Sequence, residues 1–337
     1  PLALYVLITV VVTWPLALHF GTHVPGDGGD ALQNVWNYWW TREAILGGRN
    51  PFWTPLLYAP GGAPLYLHTL NLFNGLVSLP VQLLFGLIPA YNTVVFLSFG
   101  LAAYFAYLLT AHVSGCRFAG FFGGVVYAFG SYHLAHLLGH MNLLASEWLP
   151  AYALCLIAAT GARGRRRTLL AAAGVGALLL VTLVDWQYVL FALIFTALYA
   201  PLAAVVRRSV APLVVAAAIG VVWGVAALPL LAPTIAEVRS GIAASPNPVF
   251  AGQYSAEPRS FVARGPLQSW REPWRAPVGR AEKVVLIERT LFLGWLPLGL
   301  AAAALWRCRR RAVPWAALAL PFVLLALGPS LRLGEWA

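Results

Sequence analysis

Two carboxylates, Asp27 and Asp30, stand three residues apart in Pro25-Gly-Asp-Gly-Gly-Asp30, among glycines and directly after an apolar run. A helical pattern follows them. Leu32, Val35, Trp36, Trp39 and Trp40 fall at i, i+3, i+4, i+7 and i+8, with Gln33, Asn34, Asn37, Tyr38, Thr41 and Arg42 elsewhere. Such a helix is expected to lie in the interface plane with its tryptophans at headgroup depth. Asp27 and Asp30 then stand where a lipid headgroup would be. Structural roles compete with this: Asp30 as a helix cap, Asp27 as the close of a turn, the tryptophans as an interface belt.

A second set is His133, His136 and His140, at i, i+3 and i+7. One continuous helix would bring all three to one face, where they suit a phosphate or, as a lesser option, a metal. Solvation of a helix end is the plain alternative. Glu147 lies one heptad beyond His140 inside an apolar run, and ionisable residues at membrane depth are functional candidates by default. Asp185, in the turn Asp185-Trp-Gln-Tyr188, fits ordinary turn chemistry equally well.

The elements that position these groups are apolar. Hydrophobic residues make up 60% of the 337 residues and charged ones 10%, with mean hydropathy +0.75; a soluble domain carries about 25% charge. A helix needs about 20 apolar residues to cross a hydrocarbon core of ~30 Å. Spans are expected at 1–20, 91–111, 118–135, 141–160, 168–184, 187–206, 211–233, 289–306 and 312–328. The fold class is therefore an all-α polytopic membrane protein of about nine transmembrane helices. The 70–88 segment contains Asn71, Asn74, Gly75, Pro80, Gln82 and Gly86, and is expected to be interfacial or re-entrant.

The net charge of +11 sits in short basic clusters between apolar runs. That is the pattern of orientation signals and does not suggest nucleic acid. Arg163 with Arg165–Arg167, Arg207–Arg208, and Arg307 with Arg309–Arg311 agree on one parity if all are cytoplasmic. Gly21–Tyr91 and Thr234–Ile287 are then external. The chain divides into a membrane module over 1–233 with the external loop 21–91, an external Pro/Trp/Arg-rich loop over 234–287, and a C-terminal pair of spans over 288–337. Cys116, Cys155 and Cys308 lack CxxC spacing and are expected to be free thiols. The opening at Pro1 and the end just after an apolar run suggest a piece of a longer protein.

Several pieces, in order, resemble a large group of bacterial multi-pass proteins with the GT-C glycosyltransferase architecture. They are Gly26-Asp-Gly-Gly-Asp30 with Asn34-Val-Trp36, Tyr58-Ala-Pro-Gly-Gly62 with Leu67-His-Thr69, Ala90-Tyr-Asn92, Ser114-Gly-Cys-Arg117, and Ala128-Phe-Gly-Ser-Tyr132. Ala135-His136, Gly139-His140, Glu147-Trp-Leu-Pro150, Phe292-Leu-Gly-Trp295 and Leu327-Gly-Pro329 complete the set. The resemblance implies transfer of a sugar from a polyprenyl-phosphate donor to an acceptor on the outer face of a bacterial plasma membrane. Membrane lipids are the other expected partners. An acidic motif in the first external loop serves such enzymes as base or metal ligand, so Asp27 and Asp30 become the catalytic candidates. The adjacent acidic pair usual in that group is replaced here by a three-residue spacing, which leaves open which Asp acts. His133, His136, His140 and Arg289 become candidates for the donor phosphate, with Trp36 and His68 for substrate. A divalent metal is optional and no organic cofactor is expected. One external cavity walled by 27–40, 133–140 and the region of Arg289 is the expected site. A lipid or glycolipid flippase, or a non-catalytic partner keeping the fold, are the competing classes. Loss of both Asp27 and Asp30 separates them, since only a transferase needs the carboxylates.

Overall fold

The computed structural model describes residues 1–26, 28–241, 252, 254–264 and 287–329. Asp27 and most of the 234–287 loop lie outside the described residues. The chain divides into two units, Pro1–Phe129 with Leu137–Ala243, and Gly130–His136 with Ala244–Ala337.

The first unit opens with α1 (Leu2–Val12) and a 3-10 turn over Leu16–His19. The run over 1–20 is thus not one continuous helix; Pro15 has no N–H with which to extend it. Then come α2 (Asp30–Leu46), a two-residue antiparallel ribbon pairing Trp53–Thr54 with Ala63–Pro64, α3 (Leu72–Phe85), α4 (Leu87–Ser114) and α5 (Arg117–Ala128). The expected span 118–135 is also divided. α5 stops at Ala128, and α6 (Ser131–His136) follows Gly130 as part of the second unit. The first unit resumes with α7 (Met141–Leu144), α8 (Trp148–Gly161), α9 (Gly164–Val184), α10 (Trp186–Arg207), α11 (Ala211–Ala226) and α12 (Leu228–Arg239).

Among the described residues, four helical stretches are long and apolar enough to cross a membrane: Leu87–Ser114, Met141–Gly161, Gly164–Val184 and Trp186–Arg207. The pair α11–α12, bent by 76°, is a fifth candidate. The protein is accordingly a mostly helical one whose apolar helices suit a bilayer.

The segment expected to stand apart at 70–88 does form its own helix, α3. At 14 residues it spans about 21 Å, short of a ~30 Å core. It ends at Gly86, whose φ of +92° favours glycine. Asn74, Ser78 and Gln82, four residues apart in turn, are buried on one side of it. A Cβ at Gly75 would lie 2.7 Å from Thr41 Oγ1, so α3 and α2 approach at backbone distance.

α4 and α5 also meet through small residues. Gly120, Gly124 and Ala128 form a buried stripe at i, i+4 and i+8, a spacing that lets membrane helices pack closely. The Tyr5 hydroxyl donates to the Phe121 carbonyl at 3.0 Å and closes α1 over this seam. α8, α9 and α10 alternate in direction through short turns. A Cβ at Gly161 would lie 3.2 Å from Arg207 Nη1. Arg163, Arg165–Arg167 and Arg207 therefore share one end of these helices, and Asp185 marks the other.

The described part of the second unit includes α6, a 3-10 turn over Pro258–Phe261, α13 (Trp295–Arg307) and α14 (Arg309–Ala326). α13 has 13 residues, about 20 Å. α14 carries Arg309, Arg310 and Arg311 in its first turn. Neither matches a spanning helix by length and composition, unlike the spans expected at 289–306 and 312–328.

Candidate functional site

α2 buries a largely polar stripe that takes in only Trp40 of the five apolar residues singled out in the sequence. Ala31, Asn34, Asn37, Tyr38, Trp40, Thr41 and Ala44 are buried, while Leu32 faces out and Trp36 and Trp39 are half-buried. The reason is backbone hydrogen bonding. Loop carbonyls packed against α2 are out of reach of water and need donors. Asn34 Nδ2 donates to the Gly139 carbonyl at 3.0 Å and to that of Asp30 at 2.9 Å. Asn37 Nδ2 donates to the Thr69 carbonyl at 2.7 Å.

Further bonds join these loops at the same end of the first unit. Asn71 Nδ2 reaches the Met141 carbonyl at 3.5 Å, Trp186 Nε1 donates to that of Tyr66 at 2.9 Å, and Asn142 Nδ2 donates to Asp185 Oδ2 at 2.6 Å. Asp185 also caps α10 through the Gln187 N–H, so it holds two elements together at once. Burial raises the Asp185 pKa, against the pull of these two donors.

Asp30 is the first residue of α2 and does not cap it. Gly29 occupies the cap position with no side-chain bond. The Asp30 carboxylate instead meets His140 Nε2 at 3.0 Å, with the imidazole mostly buried and the Asp30 side chain 55% exposed. Two glycines make this approach possible. Gly26, at φ +105°, lies so close to the Leu138 carbonyl that a Cβ has no room. Gly139, at φ +145°, would place a Cβ 3.0 Å from the Ala31 nitrogen. Burial lowers the His140 pKa below its usual 6.5, while the Asp30 carboxylate acts in the opposite direction. A neutral imidazole donates Nε2–H to Asp30, because an ionised carboxylate only accepts. This arrangement can hold a carboxylate in one orientation and leave it open to solvent. A metal ion shared by the two side chains would have to part them.

One turn along α2, Gln33 Nε2 donates to Thr69 Oγ1 at 2.9 Å and lies 3.2 Å from His68 Nε2. His68 meets the Trp36 ring edge-on, with centroids 6.3 Å apart, and Trp36 stacks on Trp40. Burial lowers the His68 pKa as well. An amide, a neutral imidazole and an indole therefore adjoin the Asp30 turn, a set suited to a polyhydroxyl ligand.

The three histidines do not share a helix face. α6 ends at His136, and the chain turns through Gly139 before His140. His133 and His136 are buried in the second unit. There the Tyr132 ring lies 4.2 Å from that of His136, and Ser131 Oγ donates to the Phe292 carbonyl. Arg289 Nη1 is 3.6 Å from Oε1 of the buried Glu257, which also meets Arg259 Nε at 3.2 Å. Arg289 is thus engaged in an ion-pair cluster. Burial raises the neighbouring Glu288 to a pKa of about 7.

No family model, curated protein or solved structure matches this chain. The site is therefore read from its geometry. Of the residues singled out in the sequence, Asp30 and His140 are brought together, Trp36 and His68 adjoin each other, and Asp27 lies outside the described residues. Sequence reasoning passed over Asn34, Asn37 and Thr41, although their own i, i+3 and i+7 spacing marks a polar stripe.

Proposed function

We propose that this chain transfers a sugar from a polyprenyl-phosphate-linked donor to an acceptor at the extracytoplasmic face of a bacterial plasma membrane. The plan is GT-C-like, with about nine crossings and an interfacial helix in the first external loop. The reading draws on the first unit alone and rests on one observation: a solvent-accessible carboxylate, Asp30, oriented by the mostly buried His140 at the start of α2.

A sugar hydroxyl is a poor nucleophile, and a positioned carboxylate can accept its proton as the new glycosidic bond forms. Asp30 takes that role here. His140, which donates to Oδ2, holds the carboxylate in place. The departing lipid phosphate gains negative charge, which hydrogen-bond donors stabilise best in a water-poor site. Gln33, one turn along α2 from Asp30, and its neighbour His68 are such groups. His133, His136 and Arg289 belong to the second unit and carry no part of this reading. The separation of the Arg165–Arg167 end from the Asp185 end supports an outward-facing site through the positive-inside rule.

The test uses membranes containing the full chain and a radiolabelled polyprenyl-phosphate sugar. Asp30→Asn is expected to lower transfer by ~10²-fold or more, the scale of a lost general base, with expression retained. Undiminished transfer by the Asp27→Asn/Asp30→Asn double variant overturns the reading. A lipid or glycolipid transporter is the second reading, favoured by the buried carboxylate of Glu147 at a break between helices. Unchanged lipid translocation in Asp30→Asn, with no transfer activity in the wild type, would select it.

A further inference from the structure

The candidate span Met141–Gly161 is not continuous helix. α7 ends at Leu144, α8 begins at Trp148, and Glu147 occupies the cap position between them. Non-helical backbone at membrane depth is tolerated only where protein buries it or where it lines a cavity. Breaks of this kind are where membrane transporters bind small cations.

Glu147 is 2% exposed, and no basic side chain among the described residues pairs with it. Its Oε2 has no hydrogen-bond partner. Two further buried oxygens are in the same position. The Tyr38 hydroxyl on α2, 0% exposed, lies within electrostatic reach of Glu147 and has no hydrogen-bond partner. Ser98 Oγ on α4, 1% exposed, adjoins the Glu147 carboxyl with geometry short of a good hydrogen bond, and it too has no partner. Tyr127 on α5 is also within electrostatic reach of Glu147, but its hydroxyl is committed to Ser146. Tyr91 on α4 lies behind Tyr38, with ring centroids 5.8 Å apart.

Two helices, α2 and α4, thus bring unpartnered buried hydroxyls near one buried carboxylate that has no counter-charge among the described residues. We propose that Glu147, Tyr38 and Ser98 form a site for a small monovalent alkali cation such as sodium. A lone buried carboxylate is costly. A hard cation removes that cost by occupying the lone pairs that protein donors leave free on the carboxylate and both hydroxyls. One carboxylate balances one positive charge. A divalent ion would leave an uncompensated charge in a medium of low dielectric, so the charge count selects a monovalent one.

This inference does not depend on the transferase reading, and its test does not measure transfer. The full chain in nanodiscs is unfolded thermally at fixed pH and ionic strength, with sodium chloride replaced stepwise by choline chloride. A ligand that binds only the folded state raises the midpoint with its concentration. The midpoint is expected to rise with sodium, and Glu147→Gln is expected to abolish that rise. Tyr38→Phe and Ser98→Ala each remove one oxygen and are expected to shift the sodium dependence to about tenfold higher concentration, the effect of ~1.4 kcal/mol. Asp30→Asn should keep the full sodium response, which separates a failure here from a failure of the transferase reading. If Glu147→Gln does not fold, equilibrium binding of radioactive sodium to wild type and Ser98→Ala decides the matter. An equal midpoint in sodium and choline, as a bound proton or water alone would give, overturns the proposal. So does a sodium response retained by Glu147→Gln, or wild-type sodium binding in Ser98→Ala.

Discussion

Asp30 and Glu147 make an instructive pair. Each stands at the start of a helix, Asp30 as the first residue of α2 and Glu147 as the cap position of α8. That placement favours negative charge on both through the helix dipole. Their surroundings then diverge. The Asp30 side chain is 55% exposed and has an imidazole at 3.0 Å. Glu147 is buried near hydroxyls, with no base in contact among the described residues. A carboxylate that is oriented yet open can meet a substrate arriving from outside. One that is enclosed and uncompensated can only exchange small ions. Burial and partner choice, rather than residue type or helix position, separate the two proposed roles.

The largest effect that tests this comparison is on transfer. Asp30→Asn is expected to cost ~10²–10⁴-fold, the range of a general base. His140→Ala should cost less, because Asp30 keeps its charge and loses only its orientation. A radiolabelled-donor assay on both variants checks the order, and a His140→Ala loss equal to that of Asp30→Asn would give His140 a direct role.

A smaller effect concerns the seat of the pair. Gly26→Ala puts a Cβ against the Leu138 carbonyl at a φ of +105°, and overpacking of this kind costs ~1–3 kcal/mol. Asn34→Leu removes one of two donors to the buried Gly139 carbonyl, which keeps the Met141 N–H, at ~0.5–1.5 kcal/mol. Both are expected to lower the unfolding midpoint and to impair transfer. Gly48→Ala is the control: a Cβ there meets nothing within 4 Å, although its φ is also positive. If Gly26→Ala and Gly48→Ala fall equally, backbone strain alone explains the loss and the close approach to Leu138 does not matter.

The helical membrane class was plain from composition, because that signal is summed over hundreds of residues. The separate helix at 70–88 was legible for a local reason: Asn74, Gln82 and Gly86 suit neither lipid nor a long helix. The breaks after Val12 and Ala128 were harder to see, since one apolar run reads as one span until Pro15 or Gly130 is given its weight. The buried face of α2 was not read from the sequence, for a physical reason. Hydrophobic periodicity finds the core in water, but next to a membrane the protein interior is where Asn34 and Asn37 find carbonyls to bond. The Asp30–His140 pair joins residues 110 positions apart in sequence, and no spacing rule reaches that far. The grouping of Tyr38, Ser98 and Glu147 depends on how α2, α4 and α8 pack, which the sequence does not display.

The smallest expected effect is on pH dependence. Burial lowers the His140 pKa below 6.5 in the folded protein. Below pH 6.5 the unfolded chain therefore binds more protons at this position than the folded chain does. Stability then rises with pH through that window and falls as the solution is acidified, until the folded imidazole also titrates. Asp30 moderates the trend by favouring the imidazolium. Asp185 has the opposite sign: its raised pKa makes the folded form hold a proton more tightly, so its contribution weakens as pH rises above 3.8. The bare pH profile mixes these terms, and the His140→Gln variant separates them. Subtracting its unfolding midpoints from those of wild type between pH 5 and 7.5 should leave a difference that grows in favour of wild type as pH rises. A difference that grows toward acid would mean that the imidazolium is the favoured folded form. Asp30 would then be half of a charged pair, and its carboxylate, held by a cation, would be a weaker base than the transferase reading requires.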